Sequence, residues 1–446
     1  MIHAFKMNGY NIILDVNSGS IHVTDDITYE IVSMFDYFPK KEDVLKKLSK
    51  YDPEVISEVW EEIKELKDKN TLYSVDFEPE VFPEADLYKG LKAICLHVAH
   101  DCDLRCEYCF ASKGDYRTGR SLMSKETAIK AVDYLIMHSG KRKNIEVDFF
   151  GGEPMMNFET VKATVEYGKS LEKKTGKIFF FTITTNAVHI TKEQADFINE
   201  YMDNVVISLD GRPDVNDRMR KNAVGKGSYD QILKNAKMIV EGRKNKPYFI
   251  RGTFTSFNKD FYQDVKHIRS LGFKEISIEP VTGKGGEMHI KEDDIDDILH
   301  EYESFAIEYA KGETDYRFYH FNIDIYDGPC LLKRITACGA GSEYTAVAPD
   351  GNFYPCHQFV GNNEFIIGNL EKGIVNRDMQ LKFASANVFG KEKCKNCWAK
   401  YFCSGGCHAN AYFSNGDIYK PEEIACILQK KRIECAIMIQ VAKNMG

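Results

Sequence analysis

Three cysteines in one short loop are the residues whose types and spacing carry the most chemistry in this chain. Cys102, Cys106 and Cys109 stand in the segment HDCDLRCEYCF. Thiolates at this spacing can each bind one iron of a four-iron cluster, and the loop contains no fourth cysteine. Clusters with four cysteine ligands usually carry electrons, whereas a metal with an open position can bind a substrate. The loop therefore predicts a cluster with one iron free for a ligand. A zinc knuckle is the alternative, although zinc favours C-x2-C pairs and four ligands.

A second set of residues could hold a small charged ligand near that loop. Gly151 and Gly152 follow a predicted strand, and glycine lets the backbone approach a ligand closely. Glu153 comes next and can accept hydrogen bonds from an ammonium group. Ser208 ends a later predicted strand. Arg220 follows it and could pair with a carboxylate, or form an ordinary surface salt bridge.

Seven further cysteines lie in the last third of the chain at spacings that suit metal binding. They are Cys338, Cys356, Cys394, Cys397, Cys403, Cys407 and Cys426. A zinc ribbon would explain the C-x2-C pair alone, whereas seven ordered cysteines favour two four-ligand clusters. Cys95 and Cys435 stand in apolar surroundings, where cysteine usually packs as a small hydrophobic residue.

Composition excludes several classes of function. The chain has 446 residues, a formal charge of −8 and 13 cysteines. This mildly acidic, mixed charge does not favour nucleic-acid binding, and no apolar run is long enough to span a bilayer. The amino terminus lacks the apolar core of a secretion signal. Cysteines bunched at metal-binding spacings, rather than in a short exported chain, lead us to expect the reducing cytoplasm.

The pattern of predicted elements divides the chain into three domains with boundaries at 1–85, 86–312 and 313–446. In the second domain, β-rich runs alternate with helical patterns, which implies a parallel α/β sheet with right-handed crossovers. The predicted strands are 93–98, 145–150, 178–184, 205–208, 249–254 and 276–280. Six such units make an incomplete (β/α)6 barrel, with its site at the carboxyl ends of the strands.

The two flanking domains differ in character. Residues 1–75 predict a β-hairpin followed by three helices, and the Pro-containing stretch 78–84 predicts a linker. A winged helix for DNA is disfavoured because its third helix is acidic and would repel phosphates. Residues 313–446 are rich in loops and are expected to need metal for folding.

The three-cysteine loop, followed one βα unit later by Gly-Gly-Glu-Pro, resembles the radical S-adenosylmethionine (SAM) enzymes. In that superfamily the SAM amino and carboxylate groups chelate the unique iron. One electron then cleaves SAM to methionine and a 5′-deoxyadenosyl radical. The resemblance implies roles for five residues. Gly152 and Glu153 would hold the SAM amino group, Ser208 the ribose, Arg220 the carboxylate and Tyr108 the adenine.

The carboxy-terminal cysteines are similar to the SPASM pattern, in which two auxiliary [4Fe-4S] clusters bring the total to three. By position, Cys394, Cys397, Cys403 and Cys426 would hold one auxiliary cluster. Cys338, Cys356 and Cys407 would hold the other. Cys330 could be the eighth ligand; without it, an iron of that second cluster is open to a substrate thiolate.

The first 75 residues resemble the PqqD-like winged-helix element that recognises leader segments of ribosomally made peptides. Over its whole length the chain looks like the thioether-forming maturases of Cys-rich SCIFF peptides, within the sactipeptide and ranthipeptide synthases. This implies a Cys-rich precursor peptide bound through its leader, and a low-potential donor such as flavodoxin or ferredoxin. Whether sulfur would attach to the α, β or γ carbon stays open.

Two alternatives remain. An anaerobic sulfatase maturase shares the barrel and both auxiliary clusters and converts cysteine or serine to formylglycine. Such enzymes have an aspartate after the cysteine matching Cys356, where this chain has His357, and they lack the amino-terminal domain. His357 could be a base or an ordinary loop histidine. The other alternative is a non-catalytic electron carrier or zinc scaffold that presents peptides.

Overall fold

The computed structural model describes residues 1–75, 90–312, 315–323, 325 and 331–445. The predicted linker at 78–84 and Cys330, the possible eighth ligand, lie outside the described residues. Among the helices described, none is long and apolar enough to cross a membrane.

The amino-terminal part contains a three-stranded antiparallel sheet, ordered β1-β2-β3, and three helices. Its elements are β1 (Ile2–Met7), β2 (Tyr10–Asp15), β3 (Ile21–Thr24), α1 (Asp26–Ser33), α2 (Lys41–Lys47) and α3 (Pro53–Asp68). The three helices agree with the sequence prediction, but the hairpin prediction omitted β1. That strand is short and mixes polar and apolar residues, and only Phe5 and Met7 in it are buried, so no clear alternation marks it.

This small sheet lies between two apolar layers. Four of its side chains join the main core of the protein, Phe5, Met7, Ile12 and Leu14, as does Val16 directly after β2. Ile13 points the other way and packs with Ile31, Ile56 and Ile63 of the helices. Both faces are therefore covered, and the sheet can offer only an edge to a partner.

The second part is a parallel sheet flanked by helices, as predicted. Its strands are β4 (Ala93–His100), β6 (Asn144–Gly151), β7 (Ile178–Thr185), β8 (Asn204–Ser208), β9 (Tyr248–Phe254) and β10 (Glu275–Pro280), with the short β5 (Ser121–Leu122) antiparallel to β4. The helices are α4 (Lys125–His138), α5 (Phe158–Thr175), α6 (Lys192–Tyr201), α7 (Pro213–Met219), α8 (Tyr229–Arg243), α9 (Phe261–Ser270) and α10 (Ile295–Lys311). All six predicted strands are present, in the order in which they occur along the chain.

Two more parallel strands extend this sheet beyond the six-strand prediction. β11 (Arg317–Phe318) pairs with β10, and β12 (Tyr344–Val347) pairs with β4. The parallel order is β11-β10-β9-β8-β7-β6-β4-β12, and the sheet does not close. Both added strands come after residue 312, so the sheet crosses the predicted domain boundary. Strands of two and four residues are too short to give a periodic signal.

The remaining carboxy-terminal elements are short until the last one. They are α11 (Leu331–Thr336), β13 (Asn352–Tyr354), β14 (Gly368–Asn369), β15 (Gly373–Ile374), α12 (Arg377–Ser385), α13 (Glu392–Lys395), α14 (Lys400–Cys403), α15 (His408–Asn415) and α16 (Glu423–Met445). The prediction of a loop-rich region holds up to α15. The apolar helix expected around Cys435 is α16, which has 23 residues and packs against α10.

Candidate functional site

The loop after β4 carries Cys102, Cys106 and Cys109, and all three thiols are free of disulfides. They line a cavity of about 300 Å³ at the carboxyl ends of the parallel strands. The same cavity is lined by residues that follow or end the other strands: Gly151, Gly152, Glu153, Thr184, Thr185, Asn186, Ser208, Thr253, Glu279 and Pro280. The structure therefore brings the predicted loop and the predicted cofactor residues to one edge of the sheet.

The Gly-Gly-Glu segment is bonded directly to the backbone of the cysteine loop. The Gly152 N–H donates to Ala99 O at 2.8 Å, and the Glu153 N–H donates to Asp101 O at 2.8 Å. A Cβ on Gly152 would lie 2.2 Å from Asp101 O, well inside contact distance. Glycine is thus required here for the two segments to touch, and the contact fixes the backbone beside Cys102.

Glu153 is buried and already holds three hydrogen bonds. Its carboxylate accepts from Met155 N at 3.0 Å, Thr185 Oγ1 at 2.8 Å and Asn186 N at 2.7 Å. Burial and the Asp103 carboxylate raise the pKa of Glu153 to about 7, although these hydrogen bonds act to lower it. A carboxylate offers about four lone-pair sites, so one remains for an ammonium donor.

Arg220, Asp210 and Tyr108 form a buried polar group on the same wall. Arg220 Nε lies 3.1 Å from Asp210 Oδ1, yet it has no hydrogen-bond partner among the described residues. Tyr108 donates its hydroxyl to Asp210 Oδ2 at 2.6 Å, and its ring centroid is 5.6 Å from the Arg220 guanidinium carbon. Burial lowers the pKa of Arg220, but Asp210, Tyr108 and Cys106 together raise it by more. The guanidinium therefore stays charged, and Arg220 lines the cavity.

The three thiols of the cysteine loop are suited to bind a metal-containing group through their sulfur atoms. Burial raises the pKa of Cys106 to about 12 while the Arg220 charge acts to lower it, and burial also raises the pKa of Cys102. Such thiols stay neutral at pH 7 unless a cation replaces their protons. With Arg220 and Glu153 placed for a carboxylate and an ammonium, the donor set suits an iron cluster with an amino acid-like ligand. Ser208, half-buried at the end of β8, lines the same cavity.

The carboxy-terminal cysteines lie in two groups. Burial raises the pKa of Cys356, and the nearest thiols that add to this effect are Cys407 and Cys338. Burial raises the pKa of Cys394 and Cys426 to about 11, and thiols of the set Cys394, Cys397, Cys403 and Cys426 act on one another in the same direction. Cys95 and Cys435 are fully buried among apolar residues. Across the described residues, no three His, Cys, Asp or Glu side chains converge to hold a single ion.

The two cysteine regions meet at the cavity. Cys407 and His357 line it together with the three-cysteine loop. His357 packs against the rings of Phe150 and Phe110, at centroid distances of 4.9 and 5.9 Å. Burial lowers the pKa of His357 to about 4, so its ring is neutral at pH 7.

A wider cavity of about 540 Å³ adjoins the first. The two share Tyr108, Cys109, Phe110, Thr282, Gln358 and Asn410. The shared wall comes from the cysteine loop, the segment after β10 and the carboxy-terminal third.

Sequence reasoning missed several residues of this site. Asp210, two residues after Ser208, was assigned no role, although its carboxylate contacts both Tyr108 and Arg220. Arg251 and Glu279, an ion pair at 3.2 Å, face the cavity from β9 and β10. Their positions near the carboxyl ends of predicted strands could have indicated them.

Comparisons with known proteins agree with this geometry. Residues 96–268 match the Radical SAM superfamily, and residues 338–398 match SPASM, an iron-sulfur cluster-binding domain. The chain thus contains a radical SAM domain followed by a SPASM domain. The α/β radical SAM fold is confirmed, and the two domains support SAM and iron–sulfur clusters as cofactors.

Two relatives illustrate the range of similar sequences. The radical SAM cyclopropyl synthase TigE of Paramaledivibacter caminithermalis is 22% identical, over 98% of this chain and 94% of its own. A cysteine-type anaerobic sulfatase-maturating enzyme of Clostridium novyi is 24% identical, over 74% of this chain and 91% of its own.

Two solved structures share the fold. Native anSMEcpe with bound AdoMet and Cp18Cys peptide has a TM-score of 0.65 and 19% identity, covering 79% of this chain and 99% of that one. Streptococcus suis SuiB bound to precursor peptide SuiA has a TM-score of 0.51 and 18% identity, covering 95% and 98%. The second similarity extends over the amino-terminal part as well.

Proposed function

We propose that this protein is a radical SAM enzyme that forms intramolecular thioether crosslinks in a ribosomally synthesised Cys-rich peptide. In such a reaction a cysteine sulfur bonds to a carbon of an acceptor residue, and two hydrogen atoms are lost. The observation that carries the proposal is the single cavity that both cysteine regions line. A peptide there would touch the radical-generating loop and the SPASM domain at once.

The residues of the cavity have distinct tasks in this proposal. Cys102, Cys106 and Cys109 bind three irons of a cluster; when that cluster is bound and reduced, it supplies the electron that cleaves SAM. Arg220, which lines the cavity, orients the SAM carboxylate through its charged guanidinium. Glu153 accepts from the ammonium. Asp210 positions Arg220 and Tyr108, since both contact its carboxylate.

The cavity wall formed by the carboxy-terminal third would bind the peptide. The wider cavity admits an extended segment, and Phe110 and Gln358 line both cavities. His357 lines the inner end, where its neutral ring can form a hydrogen bond with a substrate thiol. Of the proposed auxiliary ligands Cys338, Cys356 and Cys407, Cys407 lines the cavity and the Cys356 thiol lies 3.6 Å from His357 Nδ1. A substrate thiolate at that end would have an iron within reach if Cys330 is not a ligand.

The amino-terminal sheet is suited to hold a leader segment, and the similarity to SuiB over 95% of the chain supports this proposal. The Asp15 N–H donates to Ser20 O. Hydrogen-bonded pairs alternate from there along β2 and β3, so the backbone groups of Ile21 and Val23 point away from β2. Both faces of the sheet are covered, and β3 is its exposed edge. An extended peptide can add to such an edge as a further strand.

The decisive test is reaction of the anaerobically reconstituted protein with the small Cys-rich peptide that we expect to be encoded beside its gene. Three four-iron clusters give about twelve irons per chain. With SAM and reductant, we expect 5′-deoxyadenosine to be released. The peptide should lose the mass of two hydrogens per crosslink, and each crosslink should leave one cysteine thiol fewer that can be alkylated. A colourless, zinc-loaded protein without SAM cleavage would contradict the enzymatic proposal.

Formylglycine formation is the second candidate, because sulfatase-maturating enzymes recur among the relatives at 23–25% identity. Alkylation and mass separate the products. A thioether keeps the sulfur and loses the thiol, whereas formylglycine made from cysteine loses the sulfur itself. Formation of a cyclopropyl group, the activity in the name of TigE, would lose two hydrogens and keep every thiol.

Leader binding needs a subtler variant than deletion of residues 1–75, since deletion would strip five side chains from the main core. Val23→Pro removes one outward N–H of β3 and leaves the β2–β3 hydrogen bonds intact. We expect weaker peptide binding with unchanged SAM cleavage in the absence of peptide. Val23→Ala is the matched control and should bind as the parent does. Equal affinity for both variants would place the leader elsewhere.

A further inference from the structure

Lys391 is a fully buried cation in the carboxy-terminal third. It is 1% exposed and stands immediately before α13. Its Nζ donates to Gly405 O at 2.7 Å. Among the residues described by the structure, no aspartate or glutamate forms an ion pair with it. An ammonium has three donors, and burying one without a counter-charge is costly.

The groups around Lys391 that can become anionic are thiols. Gly405 lies between Cys403 and Cys407, one cysteine from each of the two carboxy-terminal groups. Burial lowers the pKa of Lys391, and the thiols that raise it come from both groups: Cys394, Cys407, Cys403 and Cys426. Its contact with Gly405 and these charges put the lysine within electrostatic reach of both proposed cluster sites.

We propose that Lys391 is the shared counter-cation of the two auxiliary clusters and favours their reduced state. The inference rests on the proposed function, because it presupposes both clusters. Reduction adds one electron to a cluster, taking its core from 2+ to 1+, and a buried positive charge stabilises the added negative charge. A peptide reaction that must discard one electron would gain a better acceptor in this way.

The test measures reduction potentials in the full chain. Replacing Cys102, Cys106 and Cys109 by alanine removes the first cluster, so that the auxiliary clusters alone are titrated with dithionite and followed by electron paramagnetic resonance. In that background, Lys391→Met should lower the equilibrium constant for reduction of each auxiliary cluster at least about tenfold. For a one-electron couple this is about 59 mV. Lys391→Arg should keep the potentials of the parent.

Lys393→Met is the matched control. Lys393 is a cation two residues away, but its side chain is 68% exposed and pairs with Glu423. Solvent screening makes such a charge weak, so its removal should leave the potentials unchanged. Unchanged potentials in Lys391→Met would overturn the proposal.

Cluster assembly supplies a second criterion if the methionine variant loads poorly. Lys391→Gln is neutral but keeps a donor for Gly405. Loss of auxiliary iron in both neutral variants, with retention in Lys391→Arg, supports the counter-cation. Equal loss in the arginine variant contradicts it. An iron-free parent would instead refute the auxiliary clusters themselves, and hence the proposed function.

Discussion

The three-cysteine loop and the carboxy-terminal cysteine region line the same cavity, but different structural elements hold them in place. Cys102, Cys106 and Cys109 stand on a loop that the parallel sheet fixes through the backbone bonds of Gly152 and Glu153. In the carboxy-terminal region, Cys394 and Cys403 belong to helices of four residues. The apolar cluster that includes Cys394 otherwise contains only Ile335 and Val388 as buried members. The first region is thus shaped by the sheet, whereas we expect the second to need bound metal to stay folded.

Removal of iron should give the largest effect and should distinguish the two regions most clearly by their amide hydrogen exchange. We expect anaerobic chelation to lower amide protection in residues 386–407 by about a hundredfold or more, because metal-binding free energy there is folding free energy. Strands β6 and β7 should keep theirs. Hydrogen exchange with mass spectrometry measures both. Equal loss of amide protection in the two regions, or no loss in either, would contradict the expectation that only the carboxy-terminal region depends on metal for folding.

Gly152→Ala should damage only the first region. The added Cβ would meet the backbone of Asp101 at 2.2 Å and that of Gly114 at 2.8 Å, so the cysteine loop must move. We expect loss of one cluster of three, from about twelve irons to about eight. Gly312→Ala is the control, since its Cβ meets nothing within 4 Å. Full iron content in Gly152→Ala would show that the loop tolerates displacement.

Arg220→Lys tests the charged wall of the first region. Lysine keeps the charge but loses the planar fork that can hold a carboxylate with two bonds. SAM affinity of the reconstituted protein should fall by about 10- to 100-fold, as expected for one or two charge-assisted hydrogen bonds.

The matched control for that variant is Arg212→Lys. Arg212 is also paired, with Asp260 and Asp264 at 2.8 Å, but it does not line either cavity described above. Its replacement should leave SAM affinity unchanged. If both variants lose affinity equally, the effect of Arg220→Lys is one of folding and not of ligand contact.

The pH dependence of SAM binding should expose Glu153. Its pKa is raised to about 7, so the carboxyl is mostly neutral below that pH and cannot pair with an ammonium. Affinity should therefore fall as pH drops below 7, approaching tenfold per pH unit for one proton. Glu153→Gln should flatten this profile. A profile unchanged by that substitution would mean that another group titrates.

The sequence was informative wherever a ligand set or a strand has a fixed spacing. The radical SAM and SPASM domains and six strands of the sheet could be predicted, whereas the cysteine ligand sets stay predictions. Contacts between distant segments could not. The pairing of β12 with β4 and the burial of Lys391 arise from tertiary packing, which leaves no local pattern.

The same limit applied to single side chains. Glu153 was expected to face an ammonium, and the structure adds that Thr185 and Asn186 already hold it. Neither neighbour could be assigned from sequence, since each is an ordinary polar residue at the end of a strand. The positions of Thr185 and Asn186 beside Glu153 depend on the register of β6 against β7.

The smallest predicted effect separates a ligand from a packing residue on one helix. Cys426 and Cys435 both lie on α16, nine residues apart, which is two and a half turns and puts them on opposite faces. Cys435 is fully buried, and its thiol contacts Tyr302 O at 3.6 Å. Cys435→Ala should cost about 1 kcal/mol of unfolding free energy and leave the iron content unchanged. Cys426→Ala should lose iron from the second region. Iron content and unfolding free energy are measured on the same Cys435→Ala sample. Loss of iron in that variant would make Cys435 a ligand and require a different cluster assignment.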